Sequence, residues 1–468
     1  MNTVKKNIIY NSLYQILIYI IPLITTPYIS RVLGAEKIGV YSYANSIAYY
    51  FAMFIILGLN NYGNRTIAKV NNDKDQLSDA FINIYSMQFI VGVIVLFIYI
   101  FYVIFISSNK LMAAIFIIYI ISSLIDINWF YFGMEQFKLT VMRNTFIKLA
   151  TTVSLFLFVK TKTDIYLYAL ILCLGSLFSQ IFLWSQISKF IILKKPTARK
   201  IISHIKPNFI LFIPVIAISL YKIMDKIMLG ILANKTEVGY YESSERLINI
   251  PIGLITALGT VMLPRITNLM ANNENEQAKK YLNISLEFAL AVSSALSFGI
   301  MAVSDIFVPI FYGTGFEKCV TLFCILMPST IFLAAANVLR TQFLIPKLKD
   351  KIYIISVFTG AFVNLIINVM LIPQYYSIGA AFGTLFAEAS VCIYQFYKTR
   401  MEVSYSKGLK RGFMYVLIGA FMFLMVKSID FKINSYLLLC IKVLVGGIFY
   451  IVGIIIINMK KIRRFFKQ

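Results

Sequence analysis

Apolar residues run through this chain in long blocks, not in the narrow stripes of a soluble helix or the alternation of a half-buried strand. Windows of ~20 residues, each able to cross a hydrocarbon core of ~30 Å, recur from end to end. They fall near residues 8–33, 39–63, 80–106, 111–132, 139–159, 165–188, 207–232, 238–263, 281–303, 319–345, 352–372, 377–397, 412–426 and 433–459. Ten-residue barrel strands would not give runs this continuous, so the spans are expected to be helices. The segments between them are short, and none is long enough to fold separately. The pattern predicts an all-α polytopic membrane protein with about fourteen transmembrane helices.

Composition agrees with this pattern. The 468 residues are 59% hydrophobic and 14% charged, with mean hydropathy +0.80, which excludes a soluble, disordered or fibrous class. A net charge of +24 raises the question of nucleic acid, but the basic residues cluster in short loops, most densely at Lys194, Lys195, Arg199, Lys200 and Lys206. That is the distribution of cytoplasmic loops, and no nucleic-acid partner is expected. With the N-terminus in the cytoplasm, 29 of the 44 basic residues lie on the cytoplasmic side, 8 outside and 7 within spans. Both termini are then expected in the cytoplasm, with the tail Lys460–Lys467 against the anionic inner leaflet. Met1–Lys6 precedes an apolar run too long for a signal-peptide core, which reads as an uncleaved first span. The five cysteines and the single histidine, His204, give neither a disulfide framework nor a metal or catalytic constellation. No cofactor, metal or catalytic residue is expected.

The longest loop separates the first six spans from the rest. The expected organisation is an N-terminal lobe at 1–190, a basic cytoplasmic linker at 191–206, a C-terminal lobe at 207–400, and two further helices with the tail at 401–468. At an offset of 200 residues Gly39 falls on Gly239, Tyr41 on Tyr241, Arg65 on Arg265 and Asn72 on Asn272, as expected of two repeated six-helix lobes.

Ionisable side chains inside spans are costly, about 3 kcal/mol at mid-bilayer, and so usually face a partner or a wet compartment. The basic ones are Arg31, Lys148, Lys222, Lys226, Arg246, Arg340 and Lys442; the acidic ones are Asp126, Asp225, Glu242, Glu245, Glu287 and Glu388. Lys222, Asp225 and Lys226 are spaced to share one face of the seventh span, and Glu242 and Arg246 form an i, i+4 pair on the eighth. These groups read either as self-neutralising pairs or as a polar wall, with cations for an anionic ligand and carboxylates for H+ or Na+. Pro22 and Pro27, just before Arg31, suggest a bend in the first span. Asp73-Lys74-Asp75 matches a D-x-D metal-sugar motif in form only and reads as a solvated turn. No phosphate-binding G-x-x-x-x-G-K-[ST] is present. Trp129 and Trp184 lie near span ends and suggest interfacial anchors.

Four stretches together resemble the Wzx-type polysaccharide flippases of the multidrug/oligosaccharidyl-lipid/polysaccharide exporter superfamily. They are TTPYISRVLGAEKIGVYSYANSIAYYF (Thr25–Phe51) with LGLNNYGNRTIAK (Leu57–Lys69); IDINWFYFGMEQFKLTVMRNTFIKL (Ile125–Leu149); LYKIMDKIMLGILANKTEVGYYESSERL (Leu220–Leu247); and the run from Gln342 to Glu388. The resemblance covers spans one to twelve in order. It implies two pseudo-symmetric six-helix lobes about a central cavity, plus two C-terminal helices, in a bacterial plasma membrane. The implied substrate is an undecaprenyl-pyrophosphate-linked oligosaccharide repeat unit, moved from the inner to the outer leaflet by alternating access. Polysaccharide polymerase and glycosyltransferase partners are implied as well, with membrane lipid around the chain and H+ or Na+ as coupling ion. On that reading Arg31, Lys148, Lys222, Arg246 and Arg340 are the cationic substrate-binding candidates, and Asp126, Asp225, Glu242, Glu245 and Glu388 the ion-coupling ones. Asn45, Tyr49, Tyr50, Asn364 and Asn368 offer a polar and aromatic lining. The embedded charges nearly cancel, seven basic against six acidic, which departs from a strongly cationic cavity. Two other readings stand beside the flippase. One is a cation-coupled multidrug or small-solute antiporter of the same fold. The other is a membrane-embedded polymerase or acyltransferase, which would call for a large outer loop with catalytic Arg or His.

Overall fold

A computed structural model gives the architecture, and the residues it describes are 3–272 and 274–465. The side chains of Met1–Lys6, Pro251 and the basic tail Lys460–Lys467 lie outside the described residues. Described secondary structure is helical throughout, and the chain divides into two compact units, Met1–Ser219 and Leu220–Gln468.

The first unit contains α1 (Thr3–Ile56), α2 (Leu59–Val70), α3 (Lys74–Phe105), α4 (Lys110–Leu124), α5 (Asn128–Gly133), α6 (Phe137–Phe158), α7 (Ile165–Ile187) and α8 (Ala198–Lys222), whose last turn enters the second unit. At ~1.5 Å per residue, the 54 residues of α1 far exceed one bilayer crossing. The helix is broken at Gly34, whose φ of 74° is open to glycine without a Cβ penalty, while Pro22 and Pro27 lie within it. Asp73 caps α3: its Oδ1 accepts the N–H of Asp75 at 2.9 Å and of Gln76 at 3.1 Å. These donors hold its carboxyl below the usual carboxylate range. The D-x-D sequence is thus a helix start, with Asp75 paired to Lys194 at 2.8 Å. The stretch between α7 and α8 is pinned on α3, where Ser78 Oγ accepts the N–H of Ile192 at 2.9 Å and Asn83 Oδ1 that of Thr197 at 2.9 Å.

The core of this unit gathers Phe81, Ile127, Trp129, Phe130, Tyr131 and Leu183. Trp129 is completely buried and donates its indole N–H to Gln88 Oε1 at 2.9 Å, so it is a core residue and not an interfacial anchor. Trp184, half-buried, donates to the carbonyl of Ile125 at 2.8 Å and likewise closes the break between α4 and α5. A tryptophan reads as an anchor by its place in the sequence, yet a free backbone carbonyl within a span gives the indole N–H a better partner than the interface.

The second unit contains α9 (Met224–Leu232), α10 (Lys235–Ala271), α11 (Asn275–Tyr312), α12 (Lys318–Leu326), α13 (Ser329–Leu339), α14 (Asp350–Tyr375), α15 (Ser377–Thr399), α16 (Ser406–Lys427) and α17 (Ser435–Phe465). A π-helical turn, Arg340–Leu344, follows α13. One core lies among α11, α13 and α15, around Leu286, Leu339 and Val391; a second joins α11 to α16 and α17 through Ala302, Met422 and Tyr450.

Twelve helical segments among the described residues are long and apolar enough to cross a membrane. The first, Ile20–Val70, runs for 51 residues from within the first expected span through the whole of the second. Helix α10 occupies the eighth expected span and carries Glu237, Glu242, Glu245, Arg246 and Arg265.

Candidate functional site

In the first unit the embedded carboxylate Asp126 sits in the break between α4 and α5. Its Oδ1 accepts the backbone N–H of Asn128 at 2.8 Å and the Asn128 amide at 2.7 Å. Gln88 on α3 spans the same break, donating to the carbonyl of Asp126 at 2.8 Å and that of Ser123 at 3.2 Å. Arg143 on α6, 5% exposed, completes the set by donating to Asn128 Oδ1 at 2.8 Å, Asn144 Oδ1 at 2.6 Å and the Ser179 carbonyl at 3.3 Å. This network meets the backbone groups that a broken span frees in the membrane. Arg143 is absent from the sequence-derived candidates because, four residues into a span, it reads as a loop charge.

The other candidates of this unit lie elsewhere on its helices. Arg31 is exposed on α1, three residues before the Gly34 break, and Lys148 is half-buried on α6. Beyond the break, α1 carries Asn45, half-buried, and Tyr49, exposed. Tyr50 donates its hydroxyl to the Ser219 carbonyl at 3.0 Å.

The second unit holds three polar sets. Lys222, Asp225 and Lys226 do not share a face: the helix is interrupted at Ile223, between α8 and α9, and the three side chains part. Lys226 Nζ lies 2.7 Å from Glu242 Oε2 and 2.7 Å from Glu245 Oε2, while Arg246 Nε lies 2.7 Å from Glu242 Oε1. These four charges of α9 and α10 neutralise one another, and the i, i+4 pair expected from the sequence is part of the ladder.

Asp225 turns to the opposite neighbours and is 1% exposed. Its Oδ2 accepts from the Tyr241 hydroxyl at 2.6 Å and from Thr384 Oγ1 at 2.8 Å; its Oδ1 accepts from Asn368 Nδ2 at 2.5 Å. Asn368 Nδ2 also donates to Asn364 Oδ1 at 3.1 Å. Asn364 and Asn368 are both fully buried and belong to this set. The Asn368 amide oxygen is left without a partner. Turning that amide over would offer Asp225 a set of hard oxygens from Asn364, Asn368, Tyr241 and Thr384, as a small cation of the Na+ kind requires. Gly383 makes this closeness possible, since a Cβ there would run into the Asn368 amide. Tyr241 and Thr384 escape a sequence search because neither is charged.

The third set comprises Lys222, Arg340 and Glu388. Arg340 lies over the Tyr353 ring, 4.8 Å from its centroid, and Lys222 is the electrostatic partner of the buried Glu388. The remaining embedded charges are paired: Glu287 with Arg411 at 3.0 Å and Lys442 with Asp305 at 3.7 Å. Glu237, which reads as a loop residue, is buried and binds Lys318 at 2.7 Å and the backbone N–H of Ser377 at 3.1 Å, stitching α10, α12 and the start of α15. No cluster of three or more His, Cys, Asp or Glu able to hold a metal ion occurs among the described residues.

This arrangement, helices interrupted within spans and carrying embedded charges, can be set beside known proteins. The chain is 25% identical over 401 residues, 83% of its length and 95% of the relative's, to the "Putative O-antigen transporter" of Escherichia coli (strain K12). It is 26% identical over 167 residues, 35% of its length and 34% of the relative's, to the "Probable low-salt glycan biosynthesis flippase Agl15" of Haloferax volcanii. Among solved structures, the lipid II flippase MurJ in an inward closed conformation superposes with a TM-score of 0.78 over 97% of this chain and 100% of that one, at 16% identity. An inward-facing multidrug resistance MATE family transporter gives 0.58 over 84% and 99%, at 13% identity. These two show the fold. The family model described as "Polysaccharide biosynthesis protein" matches residues 4–270, running through the first unit and on through α9, which bears Asp225, and nearly all of α10. With more than half its length under that match, the chain belongs to the polysaccharide biosynthesis protein family.

Proposed function

We propose that this protein is a flippase for undecaprenyl-pyrophosphate-linked oligosaccharide repeat units, moving them from the inner to the outer leaflet of a bacterial plasma membrane during surface polysaccharide biosynthesis. The observation that carries the reading is the family match together with the O-antigen transporter relative aligned along 83% of the chain. A diphosphate joined to sugars cannot cross ~30 Å of hydrocarbon unaided, because its charges and hydroxyls would lose their water. A passage open alternately to each face removes that barrier, with cations near the diphosphate and polar side chains near the sugars. Arg31, Lys148, Lys222, Arg246 and Arg340 are the cations offered to the diphosphate, and Asn45, Tyr49 and Tyr50 are offered to the sugars. Repeated lobes at 1–190 and 207–400 and cytoplasmic termini complete the reading, which involves no catalysis by the chain itself. The Asp225 oxygen set is the site offered for a coupling cation.

The same oxygen set favours one second reading, a cation-coupled antiporter for small solutes. Deleting the gene separates the two. The flippase reading expects lipid-linked repeat units to accumulate on the inner leaflet and surface polysaccharide to be lost. Normal intermediates and normal surface polysaccharide, with loss of resistance to a cationic drug, would instead establish the antiporter.

A further inference from the structure

Helices α11 and α16 run side by side from the same end. Asn283 Oδ1 accepts the N–H of Gly408 at 3.1 Å, and one turn further Glu287 holds Arg411 Nη1 at 3.0 Å from each carboxylate oxygen. The two helices close tightly, since a Cβ at Gly412 would run into Leu290. Helix α17 returns against this pair and is tied to it at two levels. Tyr450 donates its hydroxyl to the Ala291 carbonyl at 2.8 Å, and Asn458 donates its amide to the Tyr415 hydroxyl at 3.0 Å. Between α11 and α17 a cleft of about 500 Å³ stays open, with Ile284, Phe288, Ala295 and Ile454 among its apolar walls and Glu287 at one end. Along α11 it runs from Ile284 to Ala295, a rise of ~16 Å at ~1.5 Å per residue and so about one leaflet of a ~30 Å core.

The end of the cleft nearest the starts of α11 and α16 is charged. Lys407, Arg411 and Tyr415 succeed one another at i, i+4 on α16, as Lys280, Ile284 and Phe288 do on α11, so each stripe that enters the cleft begins with a lysine. Both lysines are exposed, and the carboxylates around them are engaged elsewhere: Glu276 by Lys279 at 2.7 Å, and Glu402 by Lys349 and Lys347. Arg411 remains 34% exposed beside Glu287. Three cations against one carboxylate leave the mouth positive. With the termini in the cytoplasm, as proposed above, that mouth lies at the inner leaflet. We infer that the cleft is a site for an anionic phospholipid of that leaflet, with its phosphate held by Lys280, Lys407 and Arg411 and one acyl chain lying between α11 and α17. Basic pockets between helices at the cytoplasmic face select such head groups, and the arginine fork suits phosphate oxygens. A zwitterionic head brings its own ammonium to these cations and gains less. The length of the cleft suits an acyl chain, which ends at the bilayer midplane. A larger groove of about 730 Å³ between α16 and α17 is lined by apolar side chains and glycine alone, so it offers nothing to choose one lipid head from another. A lipid seated in the charged cleft also fills the gap between α11 and α17, and so fastens α17 to the rest of the second unit.

Native mass spectrometry of the full chain, titrated with dioleoylphosphatidylglycerol or with dioleoylphosphatidylethanolamine, tests this. The first glycerol lipid should bind with a Kd about tenfold or more below that of the ethanolamine lipid. Lys280→Gln combined with Lys407→Gln, both at exposed positions, should raise the glycerol lipid's Kd about tenfold or more and leave that of the ethanolamine lipid unchanged. Val292→Phe, which fills the cleft, should weaken the glycerol lipid with every cation still in place. Equal affinity for the two lipids, a wild-type Kd in the double lysine variant, or a wild-type Kd in Val292→Phe overturns the proposal. Should Val292→Phe fail to fold, a glycerol lipid carrying a diazirine near the end of one acyl chain decides on the wild type. Label on Ala291, Ala295 or Ile454 supports the site, and label on none of them overturns it. Displacement of the glycerol lipid by an equal concentration of farnesyl pyrophosphate would assign the cleft to a polyprenyl diphosphate and overturn the phospholipid assignment. Failure of the flippase reading shows in the deletion assay instead, so the two failures are distinct.

Discussion

Replacing Lys226 by methionine takes the shared cation out of the α9–α10 ladder, in which Arg246 remains as the other cation. Breaking a fully enclosed ion pair costs about 3–5 kcal/mol. Here the Lys226, Glu242 and Glu245 side chains retain 15%, 13% and 26% exposure, so a loss of about 2–3 kcal/mol is the reasonable expectation. Adding Glu245→Gln removes the excess negative charge, while Glu242 keeps Arg246 at 2.7 Å. The double variant should regain about 1–2 kcal/mol, which is the coupling a double-mutant cycle would report. The assay is unfolding of the purified protein in mixed micelles, followed by fluorescence, on wild type, both single variants and the double variant. Wild-type stability in Lys226→Met, or additive losses in the double variant, would refute the view that these four charges hold one another.

Three further expectations follow from particular contacts. Gly63→Ala places a Cβ 2.6 Å from the Trp129 ring and should cost about 1–3 kcal/mol by overpacking, seen as a lower thermal midpoint; Gly447→Ala, which meets nothing within 4 Å, should leave that midpoint unchanged or raised. In a Trp184→Phe background, the remaining Trp129 should emit at short wavelength and resist acrylamide, whereas a red-shifted, quenchable emission would restore it to the interface. The Asp73 carboxyl, held low by the N–H groups of Gln76 and Asp75, stabilises the start of α3 above its unfolded value of about 3.9 and loses that effect as pH falls through its lower folded value; hydrogen exchange at Asp75 and Gln76 should therefore accelerate in acid, and Asp73→Ala should show fast exchange at neutral pH.

Much of the fold is legible in the sequence because the membrane imposes it. An apolar run of twenty residues has essentially one way to satisfy its backbone there, so helices and their order follow from hydropathy alone. What hydropathy does not register is where such a helix stops bonding to itself. The breaks at Ile125–Ile127 and Ile223, and the π turn at Arg340–Leu344, fall within runs that remain apolar. The groups that accommodate a break are legible only when charged or regularly spaced. Glu242 and Arg246 could be paired from their spacing, whereas the approach of Thr384 and Tyr241 to Asp225 spans more than 140 residues in the first case and crosses from α9 to α10 in the second. Arg143 and Glu237 were hidden for another reason. Both lie near span ends, where a charge is read as solvated, and burial there is decided by tertiary neighbours that the sequence does not list in order.

The second unit treats its embedded charges in two ways. Lys226, Glu242, Glu245 and Arg246 are mutually neutral, as are Glu287 with Arg411, and their cost of about 3 kcal/mol each on entering the bilayer is offset within the protein. Arg340 instead rests on the Tyr353 ring, 4.8 Å from its centroid, and Lys222, itself exposed, is the electrostatic neighbour of the buried Glu388. In the ladder a close partner fixes each charge, so removing one member leaves its neighbour buried and uncompensated. At Lys222 solvent reaches the ammonium, and removing it should cost less.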